Sequence, residues 1–108
     1  MARDTTIIRT GSKGSLSIET PEGQYSLTAE ECRQLLFFSR RILLRDAAGI
    51  IPGDAIAYIE PETEPGGERR VIIETSSRFF SLLDCAFVAV ADGRWAAAMM
   101  QDCKGVRP

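Results

Sequence analysis

Glu60, Glu62, Glu64 and Glu68 place four carboxylates in one short stretch, the grouping that acid–base or divalent-cation chemistry uses. They stand in a Pro/Gly-rich acidic loop, residues 61–68 with Glu60 at its edge. The composition reads as solvated charge on a mobile segment rather than as a site. Nucleophilic triads of the usual form are excluded, because the 108 residues include no histidine to act as base. A Ser–Lys pair would need Lys13 or Lys104, the only lysines, and both fall in turn or tail. Cys32, Cys85 and Cys103 show no C-x-x-C spacing, and without histidine no metal site is expected. Cys32 and Cys85 sit in apolar runs and read as small buried hydrophobes. Neither G-x-x-x-x-G-K-[ST] nor G-x-G-x-x-G occurs, and Gly66-Gly67 lies among acids that repel phosphate. The expectation is a chain that is not an enzyme and takes no cofactor.

Binding chemistry is better represented. Arg9, Lys13, Arg69, Arg70 and Arg78 fall on strands or turns, where they could line one sheet face, and Tyr25 could supply a stacking platform. Together they suggest a face for single-stranded nucleic acid. The formal net charge of -2 makes any such attraction local rather than global. A second candidate lies on a helix. Plotted at about 100° per residue, Cys32, Leu35, Leu36, Ser39, Ile42 and Leu43 share an inward stripe. Phe37 and Leu44 fall opposite, among Arg33, Arg40, Arg41 and Arg45, a composition suited to the centre of an interface, self-association included.

The elements that position these residues follow from pattern. Residues 5–10, 15–20 and 24–27 alternate or are β-branched, and Gly/Pro turns separate them into a three-stranded meander. Thr28-Ala29-Glu30-Glu31 is a capping box, and it opens a long helix expected over about residues 29–46 and closed by Gly49 and Pro52. Further strands are expected at 55–60, 69–75 and 78–83. Residues 85–103 admit either a short helix from Cys85 to Ala91 or a hairpin about Asp92-Gly93, the helix being preferred. The fold class is α+β: an antiparallel, meander-rich sheet packed by one long helix, in a single domain spanning 1–108.

One string recurs. Ile18-Glu19-Thr20 and Ser26-Leu27 return as Ile73-Glu74-Thr75 and Ser81-Leu82, each Ser-Leu preceded by an aromatic. A chain this long offers about one such match by chance, so pseudo-repeats over 1–53 and 54–108 rest on the shared strand-to-helix context. Preference for a helix after Asp84 comes from this echo.

Tyr25-Ser26-Leu27-Thr28-Ala29-Glu30-Glu31, followed by Leu35, resembles the strand-to-helix junction of the positive cofactor four family of transcriptional coactivators. The resemblance runs over residues 5–46. It implies paired meanders and helices gripping single-stranded DNA, with the related Whirly proteins carrying the unit twice in one chain. The function expected is thus a small binding module associated with single-stranded DNA or RNA. The alternative is a protein-interaction or homodimerisation module acting through the Phe37/Leu44 face. No apolar leader opens the sequence, and the run Cys85 to Ala91 is far too short to span a bilayer. A cytoplasmic setting with no membrane partner is expected.

Overall fold

A computed structural model describes residues 5–60 and 67–102. Strands β1 (Thr5–Thr10), β2 (Leu16–Thr20) and β3 (Gly23–Leu27) form an antiparallel meander and lead into helix α1 (Ala29–Phe38). Short strands β4 (Ile42–Leu43) and β5 (Arg45–Asp46) follow. A second meander, β6 (Ile56–Glu60), β7 (Arg70–Glu74) and β8 (Phe79–Leu83), leads into helix α2 (Asp84–Ala91) and a last strand, β9 (Ala97–Asp102). The sheet order is β4-β6-β7-β8-β9-β1-β2-β3-β5, with every pairing antiparallel.

Because β4 pairs with β6 and β5 with β3, the segment Ile42–Asp46 brings the two ends of the sheet together into a nearly closed barrel. This corrects the expectation of a sheet packed by one long helix. α1 stops at Phe38. Ser39 adopts a left-handed backbone (φ 53°), and its N–H donates to the Gln34 carbonyl as a C-cap. Residues 42–46 then switch from the helical period to the strand period, and the switch reverses two expected orientations. Leu44 is completely buried and Leu43 is 47% exposed. Pairing with strands on both sides satisfies the backbone there and seats Ile42 and Leu44 in the core, so tertiary context overrides the helical pattern.

A left-handed serine is strained by its Cβ, which glycine lacks. Ser39→Gly is expected to raise stability by about 0.5 kcal/mol net of the unfolded-state penalty for glycine. A thermal melt should move up by roughly 2–4 °C; an unchanged or lower midpoint would refute the strain.

The region from Asp84 onward contains the helix α2 and then the strand β9, not a hairpin. Residues 61–66 of the acidic loop lie outside the described residues, and Glu68 at its end stands 3.6 Å from Arg70. The echoed strings occupy matching places. Ile18 pairs with Tyr25 and Ile73 with Phe80; Ser17 pairs with Ser26 and Ile72 with Ser81. The match extends past the strings: Tyr25 and Phe80 each pair with an aspartate, Asp46 and Asp102. Ile42 meets Ala57 where Ala98 meets Ile8. Half the ring thus repeats the pairing of the other half. At one end the two β-turns touch, where Glu22 accepts hydrogen bonds from the hydroxyls of Thr75 and Ser77. A single core draws on both halves, with Ile8, Leu16, Leu27 and Leu35 packed in one cluster with Ile73, Phe80 and Phe87.

Candidate functional site

The inward side of α1 is set by Cys32 and Leu35, both buried, so Phe37 falls about 200° round from Leu35 and faces out. Phe37 and Phe38 close the helix with 74% and 71% of their surfaces exposed, and Leu43 adds a third exposed apolar side chain a few residues on. Arg40, exposed on the turn between them, has no ion-pair partner among the described residues. Arg41 lies with its guanidinium carbon 5.2 Å from the centre of the Tyr58 ring, a cation–π contact worth about 0.5–1 kcal/mol at an exposed site. These residues make an apolar shoulder with a cationic edge.

Not all of the expected interface belongs to it. Leu44 is in the core rather than on the surface, because the helix ends before it. Arg45 reaches back to the helix start, where it donates to Glu31 at 2.8 Å in a half-buried pair. Arg33 is held by Glu30 one turn away. Burial tends to push the Glu31 carboxyl up. The Arg45 guanidinium and the backbone N–H of Thr28 outweigh it and hold the group below the ordinary glutamate value. Burial also pushes the Cys32 thiol up to about 12, ahead of the effect of neighbouring Glu31, so this sulfur is a packed thiol and not a nucleophile.

Between the helices runs a cleft of about 560 Å³. α1 presents Ala29, Cys32, Arg33, Leu36 and Phe37 to it, and α2 presents Asp84, Val88 and Ala91, with the C-cap Asp92 just beyond. Gly14 and Arg69 complete the lining. Positions that correspond in the two halves face one another's counterparts here, yet their chemistry differs. Ala29 answers to Asp84, Leu36 to Ala91, Phe37 to Asp92 and Gly14 to Arg69. The α1 side is largely apolar, and the charges on both sides are already met within the chain: Arg33 by Glu30, Arg69 by Asp84 and Arg94 by Asp92.

The residues expected to bind nucleic acid are not brought together. Arg9 projects from the outer face of β1 and Arg70 from the outer face of β7, with β8 and β9 between them. Arg69 lines the cleft, Arg78 sits at the β7–β8 turn, and Lys13 lies in the 3-10 turn between β1 and β2. Each of the four arginines has a carboxylate partner: Glu19 for Arg9, Asp84 for Arg69, Glu68 for Arg70 and Asp102 for Arg78. Tyr25 turns inward against the core, and Gln24 and Ser26 take the outer positions on β3. Its hydroxyl titrates higher than usual, first through burial and then through Asp54, Glu22 and Asp46, acids that would also repel a phosphate.

Besides Leu43, sequence reasoning missed five exposed apolar side chains, Phe38, Ile50, Ile51, Trp95 and Met99. Phe38 was masked by the longer helix. Trp95 is exposed just before β9, and Met99 on that strand borders a shallow depression of about 260 Å³ with Ile7, Arg9 and Ala97. Ala97-Ala98-Met99-Met100 is apolar throughout, so no alternation in the sequence marks Met99 as the outward residue. Among the described residues, no group of three or more metal-ligating side chains is assembled, and no helix is long and apolar enough to cross a membrane. Comparison with family models, with curated proteins and with solved structures finds no match for this chain.

Proposed function

We propose that this chain is a non-catalytic interaction module that holds a partner polypeptide on the shoulder formed by Phe37, Phe38 and Leu43. The observation that carries the reading is the pair of adjacent phenylalanines, both more than two-thirds exposed at the end of α1. Two neighbouring aromatic rings left in water cost free energy that burial against a partner recovers, at roughly 25 cal/mol per Å² of apolar surface. Arg40 and Arg41 supply the polar edge that usually surrounds such an anchor. The shoulder is preferred to a nucleic-acid face because Arg9, Arg69, Arg70 and Arg78 would first have to leave their carboxylates.

The test is to pan a displayed random-peptide library on the wild-type chain and counter-pan on the Phe37→Asp/Phe38→Asp double variant. Circular dichroism should give the same spectrum for both proteins, since neither ring is packed. Peptides enriched on the wild type and lost on the double variant are the expected result. Equal retention on both proteins, or no enrichment at all, would refute the reading.

A further inference from the structure

We infer that the cleft between α1 and α2 seats the apolar ridge of a partner helix whose exposed flank is acidic. The inference rests on the shoulder reading, since Phe37 belongs both to the shoulder and to the cleft wall. The first support is spacing. The residues that α1 turns to the cleft, 29, 32, 33, 36 and 37, and those from α2 and its C-cap, 84, 88, 91 and 92, each follow the three-and-four rhythm of a helix-packing stripe. Two adjacent helices that both point such a stripe into an open groove form the seat that a third helix fills by ridge-into-groove packing. From Ala29 to Phe37 the groove runs about 12 Å, the rise of two helical turns. Its volume of about 560 Å³ suits a few large apolar side chains.

The second support is charge. Within the groove each ion is paired inside the chain, so the floor invites apolar groups rather than a particular charge. Beyond its Phe37 end lie Arg40, which has no ion-pair partner among the described residues, and Arg41, whose guanidinium stands over the Tyr58 ring. A helix lying in the groove and continuing over the shoulder would bring its flank to these two cations, which favours glutamate or aspartate there. The two halves do not offer equal seats. Asp92, just past the end of α2, holds the place that Phe37 holds on α1, and the cation beside it, Arg94, is paired with that carboxylate. The two adjacent phenylalanines and the two cations without a carboxylate partner among the described residues thus stand at the α1 end.

The probe is a blocked synthetic peptide of about 14 residues, held helical by a hydrocarbon staple on its outer face because so short and charged a chain is only marginally helical by itself, with leucines at i, i+3, i+4 and i+7 and glutamate elsewhere. A second peptide carries lysine in place of every glutamate. Anisotropy titrations at low salt, with amide chemical-shift mapping on the labelled chain, are the readouts. The glutamate peptide is expected to bind at least tenfold more tightly than the lysine peptide, and to shift amides of both α1 and α2. Val88→Trp, which fills the groove, should weaken binding at least tenfold, and the exposed rim variant Arg40→Glu should abolish the preference for glutamate. Shifts confined to residues 38–43 would overturn the groove while leaving the shoulder intact. Equal affinity for the two peptides would overturn the acidic flank. No binding of either at millimolar concentration, in a protein whose panning succeeded, would overturn the inference, and failure of both experiments would remove the shoulder as well.

Discussion

Leu44→Ala is expected to lower folding stability by about 3 kcal/mol and the melting temperature by roughly 10 °C or more, whereas Phe37→Ala should change stability by less than about 0.5 kcal/mol. The contrast follows from where the helix ends. Leu44 is wholly buried in the segment that joins β3 to β6, so its truncation loses the transfer energy of the missing atoms and leaves a cavity between strands that cannot easily collapse. Phe37 is mostly in water and loses little on truncation. Urea titrations of the two variants decide the matter. A helix continuing to residue 46 would place Leu44 outside, and the two costs would then be alike and small.

Glu31→Ala should cost about 2 kcal/mol at neutral pH. The wild-type carboxylate accepts from the Thr28 N–H in the capping box and from Arg45, and both bonds are lost together. The half-buried Arg45, whose Nε has no hydrogen-bond partner among the described residues, would then face the interior with its charge uncompensated. Glu31→Gln keeps the cap and removes the charge, so about half of the cost is expected. Protonation gives the same group a pH signature. Its carboxyl is held below the ordinary glutamate value when folded, so its contribution is present in full above about pH 5 and is lost as the pH falls through the folded value. The stability gap between the wild type and Glu31→Gln should therefore narrow as the medium is acidified from pH 7 to about pH 3. A constant gap over that range would rule out the charged pair as its source.

Much of the strand framework was legible. Leu16, Ile18, Tyr25 and Leu27 declare their faces by simple alternation, and the capping box at Thr28 marks the start of α1 within one residue. What could not be read was the stop. Ile42 and Leu43 continue the inward stripe of a helix, while Ile42 and Leu44 suit the inner face of a strand equally well. The choice between them is made by β3 and β6, which approach from opposite ends of the sheet and cannot be seen locally. The same non-local closure moved Leu44 inward and Arg45 to Glu31, dividing the expected interface in two. Strand arginines were legible as residues but not as a surface, because alternation says which face a side chain takes and not which acid stands beside it. The cleft was hidden for another reason: it exists only where α1 meets α2, and the two were read as unequal and separate.

The ring order carries a consequence for how the chain comes to be folded. β9 lies between β8 and β1, so the last described strand completes the first one, and residues 42–46 serve the two halves at once. Either half alone would leave two rows of backbone donors and acceptors in water and a hydrophobic interior half lined. Neither is an autonomous folding unit, for all that one arrangement is written twice. Cooperativity is therefore expected of the whole ring, whose closure needs segments nearly a full chain length apart to meet, the long-range pairing that slows folding.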